Sequence, residues 1–173
     1  MTNEKTYTKS EIIEKLNNGL VESRKWQLIK EHVDQHGYMS GIDRMSERVK
    51  DTHEIFTPTD IVIKMVKNIG VENMGPGKSV LDPSCGDGQF LVTAKWVKVY
   101  FHNMSEDDAL KDIYGVDIMR DNVDLCKKRL GGGNIIMGDT LNPTSQLTEQ
   151  TKEEQSLMIE LFSEQKTLCD FFG

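Results

Sequence analysis

Three aspartates close short apolar runs: Asp82 after Val80-Leu81, Asp117 after Ile113-Tyr114-Gly115-Val116, and Asp139 after Ile135-Ile136-Met137-Gly138. If the runs are parallel strands of an α/β sheet, their carboxyl ends share one edge, and small ligands bind beyond that edge. Carboxylates accept hydrogen bonds from hydroxyl, amino and ammonium groups. Three of them in series therefore outline a nucleoside-shaped pocket. Asp117, at the end of the second run, is placed to grip ribose hydroxyls. An acid capping the helix that follows is the structural alternative, but Asp121 fills that role better.

The first acid opens the segment Asp82-Pro83-Ser84-Cys85-Gly86-Asp87-Gly88, after which Phe90, Leu91, Ala94, Val97 and Phe101 begin a helix. Strand, glycine turn and helix make the first βα unit of a doubly wound sheet. Gly86 and Gly88 let the chain turn sharply and let a ligand approach the backbone without meeting a Cβ. A dinucleotide fingerprint is absent, because Leu91 occupies the third glycine position. A phosphate loop would need Lys followed by Ser or Thr, and Gln89-Phe90 stand there instead. Asp82 and Asp87 would repel a pyrophosphate and suit a ligand with a cationic end, such as the amino group of S-adenosylmethionine.

The loop resembles the cofactor loop of the DNA adenine-N6 methyltransferases, whose usual form is Asp-Pro-x-x-Gly-x-Gly. Upstream, Phe56-Thr57-Pro58 is similar to the segment that precedes this loop in the gamma-ordered members, among them type I and type IIG modification subunits of restriction–modification systems. The resemblance runs from about residue 48 to residue 140. It implies a Rossmann-like methyltransferase fold, S-adenosylmethionine as cofactor and DNA methylation as activity. It places Asp82, Pro83, Ser84, Gly86 and Gly88 around the methionine end, with Phe56, Thr57 and Pro58 closing the other side. It also implies Asp117 on the ribose, Ile118 on the adenine face and Asp139 on the adenine amino group.

Those residues need a mostly parallel sheet flanked by helices, and 173 residues suffice for one such domain. Residues 53–173 are read as the α/β domain and residues 1–52 as a helical extension. Thr8-x-x-Glu11 is a capping-box pattern, with Ile12, Ile13, Leu16 and Leu20 at helical spacing. Asn18-Gly19 is expected to break that helix before a second stripe of Trp26, Ile29 and Val33, with Gly37 as C-cap. A further short helix is expected around Ile42, Met45 and Val49. Thr57 is expected to cap a helix with Pro58 first and Asp60 completing the box, and Ile61, Val62, Met65, Val66 and Ile69 form its stripe up to Gly70. Met104–Asp108 reads as a polar loop, Asn134–Met137 as the third strand, Asn142-Pro143-Thr144 as a turn, and Leu147–Gln165 as the last helix.

Composition sets outer bounds. An apolar fraction of 37% and a charged fraction of 28% fit an ordinary folded domain. There is no apolar run long enough for a membrane span and no signal-peptide core at Met1-Thr2-Asn3. Cys85, Cys126 and Cys169 lack metal-type spacing, so no metal site is expected and reduced thiols in a cytoplasmic setting are the reading. A net charge of −7 disfavours a free-standing DNA binder. Arg24-Lys25, Arg44 with Arg48 and Lys50, and Lys127-Lys128-Arg129 are the local basic candidates for DNA, and solvated helix faces are the simpler reading of each.

Transfer to an exocyclic amine also requires an acceptor site. In the adenine-N6 family this is Asn/Asp/Ser-Pro-Pro-aromatic after the fourth strand, the aromatic stacking on a flipped base. The four prolines, Pro58, Pro76, Pro83 and Pro143, include no adjacent pair, so no catalytic residue can be named. Cytosine-C5 chemistry needs a Pro-Cys pair, which is also absent, and Cys85 reads as a small packing residue. Cys169-Asp170-Phe171-Phe172 could open the fourth strand. Three functions follow: a DNA adenine-N6 methyltransferase or its cofactor-binding portion; a non-catalytic S-adenosylmethionine-binding protein that sequesters cofactor, regulates a partner, or completes an active site with a partner subunit or a second copy of itself; or methylation of another substrate, such as RNA or protein, through a different acceptor site.

Overall fold

Three short strands, β1 (Val80–Asp82), β2 (Ile113–Asp117) and β3 (Asn134–Met137), pair in parallel in the order β1-β2-β3. The computed structural model describes residues 9–35 and 57–163, the side chains of Glu11, Ile12 and Ser163 excepted. Register sets Leu81 beside Tyr114 and Val116 beside Ile136. Because side chains alternate along a strand, those four share one face, and Ile113, Ile135 and Met137 share the other.

Helices cover both faces, giving an α/β arrangement compatible with a Rossmann-like methyltransferase fold. α1 (Lys9–Gln35), α2 (Thr59–Ile69), α3 (Gln89–His102) and α5 (Arg120–Leu130) build one side, and α6 (Lys152–Ser163) lies on the other. The larger core joins Ile113, Ile135 and Met137 to Leu91 and Val97 of α3, Val123 and Cys126 of α5, and Trp26, Ile29 and Val33 of α1. The smaller packs Val116 and Ile136 under Met158 and Phe162 of α6. The short helix α4 (Glu106–Lys111) precedes β2.

The strands and the helix after the loop stand where the apolar runs place them; several helix boundaries do not. α1 is a single helix of 27 residues that passes through Asn18-Gly19. A glycine in a helix costs about 1 kcal/mol, which is too little to break one anchored downstream by Trp26, Ile29 and Val33. Ile13, Leu16 and Leu20, on the first half, are exposed. Thr57 is not the cap of α2: Pro58 takes that place with φ −57° and ψ 142°, its carbonyl accepting from Ile61 and Val62. Asp60 is drawn away to Lys30 of α1 instead of completing a capping box.

The buried face of α2 is Thr59, Val62, Ile63 and Val66, turned from the expected stripe so that Ile61, Met65 and Ile69 are exposed. Met104–Asp108 is not all loop, since Ser105 caps α4 by accepting from the Asp108 amide at 3.1 Å. The last helix begins at Lys152, not Leu147, because the Leu147 amide bonds to the Gln150 side chain and Thr151 holds the Glu154 amide. The expected features at Thr8, Gly37, Ile42–Val49 and Cys169–Phe172 lie outside the described residues, as do Arg44, Arg48, Lys50 and Phe56.

Two lysines of α3 are structural. Lys98, whose side chain is fully buried, donates to the carbonyl of Lys78 at 2.6 Å and lies 3.7 Å from Asp112. Lys95 donates to Glu106 at 2.6 Å and to the Leu130 carbonyl at 2.9 Å. They pin the turn before β1, α4 and the end of α5 to the central helix.

Candidate functional site

Parallel pairing brings the ends of β1 and β2 and the turn after β3 to one edge, and a cavity of about 360 Å³ opens there. Pro83, Ser84, Asp117, Ile118, Asp139 and Leu141 line it, with Gly138 and Thr140 between them. The size lies within the range of about 300–1,000 Å³ typical of small-ligand sites. Two large apolar side chains flank it in solvent, Ile118 at 51% and Leu141 at 97% exposure. Leu141 carried no signal in the sequence, being one apolar residue inside a polar turn.

Asp117 is held on both oxygens. Oδ2 accepts from the Gly86 amide at 2.9 Å, and Oδ1 accepts from the Met119 amide at 2.9 Å and from Asn122 at 3.1 Å. A carboxylate oxygen takes about two hydrogen bonds, so Oδ2 keeps one acceptor position and Oδ1 is full. The helix-capping role given to Asp121 is not seen: the residue before α5 is Met119, without a side-chain cap, and Asp121 lies in the first turn. Asp139 uses Oδ1 to hold the turn after β3, accepting from Leu141 at 3.0 Å and Asn142 at 3.2 Å. Thr140 crosses from that turn to the Pro83 carbonyl at 2.6 Å, joining the ends of β1 and β3 over the gap between them.

The glycine loop is internally closed. The Ser84 amide donates to Asp82, Cys85 to the Val116 carbonyl, Gly86 to Asp117, and Gly88 to the Cys85 carbonyl. The amides of Ser84, Cys85, Gly86 and Gly88 are thereby spent on the loop itself and on the end of β2, which leaves fewer donors for an anion.

Gly88 has a packing reason to be glycine beside the expected turn and ligand approach. At φ +91° its Cβ would fall 2.6 Å from the Cys126 sulfur, so α5 packs against it. Cys85 and Cys126 are buried free thiols. The neighbouring Cys126, burial and the nearby carboxylates push the Cys85 thiol far up, so it is a packing residue and no nucleophile.

Asp87 turns inward, contrary to its expected role facing a cationic ligand. It pairs with Arg129 at 2.6 Å, the two side chains 4% and 3% exposed. Arg129 also donates to the Asp87 carbonyl at 3.0 Å and to Gln89. Arg129 thus leaves the basic run 127–129, in which Lys127 stands 4.0 Å from Glu154 and Lys127 and Lys128 are exposed. Arg24 sits 3.8 Å from Glu31 on its own helix.

Asp82 remains on the rim. Burial, against the Ser84 amide and helped by nearby Asp117, raises its pKa above the ordinary aspartate value. It lines an apolar cavity of about 220 Å³ with Val66, Ile69, Leu81 and Phe90, and Pro83 is a wall of both cavities. Ser84 and Pro58 are exposed and Thr57 is half-buried. Among the described residues there is no cluster of His, Cys, Asp or Glu suited to a metal ion, and no helix long and apolar enough to cross a membrane.

A parallel sheet with an acid-rimmed cavity beyond its strand ends has the form of the nucleoside-binding α/β proteins. Residues 42–159 match the model of one family, N-6 DNA methylase, and with that share of its length the chain belongs to that family. No curated protein and no solved structure matches the chain.

Proposed function

We propose that this chain binds S-adenosylmethionine and serves as the cofactor-binding part of a DNA adenine-N6 methyltransferase, of the kind that works in type I and type IIG modification systems. The observation that carries the reading is the pair of cavities beyond the strand ends, rimmed by Asp82 and by Asp117 and Asp139, whose carboxylates disfavour a phosphate and suit a nucleoside with an aliphatic ammonium tail. In this reading Oδ2 of Asp117 accepts one ribose hydroxyl through its remaining position. Ile118 and Leu141 flank the adenine, and the carboxylate of Asp139 accepts its amino group. The tail crosses Pro83 and Ser84, with Gly86 and Gly88 setting the backbone beneath it. The ammonium meets Asp82, and Phe56, Thr57 and Pro58 close the far side.

When bound, the cofactor supplies the electrophilic methyl group. What these residues do is orient it, so that the methyl is held toward an incoming amine. The protein acts in the cytoplasm, where its thiols stay reduced, and its DNA substrate is engaged with a further segment or subunit that brings the acceptor site.

Titration calorimetry with S-adenosylmethionine tests the pocket: saturable binding is expected, and no binding, or binding unchanged by Asp117→Ala, overturns it. A second reading, a non-catalytic binder that sequesters cofactor or completes a partner, is favoured by one observation: the 173 residues hold no Pro-Pro pair. Tritiated methyl transfer to unmethylated DNA separates the two, since only the first gives labelled DNA.

A further inference from the structure

One buried polar chain crosses the molecule without touching either cavity. Asp87, in the glycine loop, pairs with Arg129 near the end of α5 at 2.6 Å. Arg129 donates in turn to the Gln89 side-chain oxygen, and the Gln89 amide nitrogen donates to the Thr59 hydroxyl at 3.2 Å. Thr59 is the first residue of α2, directly after Thr57-Pro58. All four side chains belong to buried residues. A buried charge pair costs more in desolvation than a well-packed apolar pair of the same volume, so this chain is a poor way to gain stability alone. What it does supply is fixed geometry between two segments 30 residues apart, the loop with the start of α3 and the start of α2.

We infer that Arg129 and Gln89 are positioning residues that set the gap between the glycine loop and the Thr57-Pro58 segment, and so fix affinity for the tail of the cofactor rather than for its nucleoside. The inference rests on the S-adenosylmethionine reading. The nucleoside cavity is built from Asp117, Ile118, Asp139 and Leu141, none of which contacts this chain of bonds, and Asp117 is held by Gly86, Met119 and Asn122. Loosening Thr59 should therefore leave the nucleoside site intact and widen the tail site.

The test compares two probes, S-adenosylmethionine and adenosine, by calorimetry on the full chain. Thr59→Val removes the hydroxyl that Gln89 reaches while keeping the side-chain volume, and Thr59→Ser keeps the hydroxyl. The expected result is a loss of about tenfold in S-adenosylmethionine affinity for Thr59→Val, the scale of one buried hydrogen bond left unmade, with adenosine affinity unchanged and Thr59→Ser near wild type. Arg129→Lys should act in the same direction, because an ammonium cannot reach Asp87 and Gln89 together as the guanidinium fork does. Equal losses for both probes would reduce the network to a general structural role and overturn the inference, as would no loss for either. Failure of the unaltered protein to bind S-adenosylmethionine would instead sink the reading beneath it.

Discussion

The Gly86 amide donates to Oδ2 of Asp117 at 2.9 Å, so the turn after β1 is fastened to the end of β2 by a single carboxylate. The Cys85 amide repeats the tie through the Val116 carbonyl at 2.9 Å, and Gly138 extends it to β3 by donating to the Asp117 carbonyl at 3.0 Å. Three strand ends are thereby locked around one residue. The acid that the sequence assigns to a ligand is also the organiser of the cavity wall, and its two roles compete for the same oxygens.

Asp117→Asn should expose that competition. An amide keeps the shape, but its NH2 group would either face the Gly86 amide, donor against donor, or face Met119 and Asn122. We expect at least tenfold weaker S-adenosylmethionine binding together with a stability loss of about 1–3 kcal/mol, the penalty for a buried donor left without its acceptor. Calorimetry and chemical denaturation measure the two effects, and a full loss of affinity without any stability change would contradict the shared role.

Gly88→Ala addresses the base of the loop. The residue sits at φ +91° and its new Cβ would lie 2.6 Å from the Cys126 sulfur. Strain and overlap together should cost about 2–4 kcal/mol, lowering the melting midpoint by roughly 5–15 °C. In a Cys126→Ala background the overlap disappears and the backbone strain stays. The same substitution should then cost about 1 kcal/mol less, and an equal cost in both backgrounds would rule out the contact as a cause.

How much of this site could be read beforehand depends on where each partner lies in the chain. β1, β2 and β3 coincide with the apolar runs and the acids that close the first two, because alternation and turn glycines are local signals. The three acids at the strand ends are legible for the same reason. The inward turn of Asp87 is not, since its partner Arg129 is 42 residues away in a run of basic residues that looks like a solvated helix end. Lys95 and Lys98 are buried lysines whose partners also lie far along the chain, Glu106 and the Leu130 carbonyl for the first and the Lys78 carbonyl for the second. The continuity of α1 through Gly19 is decided by packing at Trp26, Ile29 and Val33, which outweighs local propensity.

Asp82→Asn should raise stability while weakening cofactor binding. Burial, the largest influence, lifts the Asp82 pKa above its unfolded value. For an acid with a raised folded pKa the charged form is the less favoured one in the native state. The cost is therefore present at neutral pH and is relieved as pH falls through the folded value. Removing the charge should raise the melting midpoint at pH 7. A cationic ligand prefers the carboxylate, so wild-type affinity should fall on acidification beginning above the ordinary aspartate range, and Asp82→Asn should flatten that dependence. A variant that binds S-adenosylmethionine as wild type does would remove Asp82 from the site.

Glu154 gives the opposite sign and ties α6 to the cavity. Its carboxylate takes paired bonds from Arg120 at 2.8 and 2.6 Å and further ones from the Thr151 amide at 3.0 Å and the Met137 amide at 3.3 Å. Burial alone would raise its pKa, but the Arg120 pair and the two amides outweigh burial and bring it from 4.5 to about 2. A depressed folded pKa contributes stability above the unfolded value and loses it as pH falls through the folded one. The contribution, on the order of 3 kcal/mol, should be complete above pH 4.5 and fade toward pH 2. Denaturation of wild type and Glu154→Gln across that window should show a gap that closes as pH falls. Arg120 lies two residues after Ile118, and Met137 directly before Gly138, so the walls of the cavity loosen with the pair. S-adenosylmethionine affinity at pH 7 should therefore fall in Glu154→Gln alongside stability. A gap independent of pH would show that the side chain acts through packing and not through its charge.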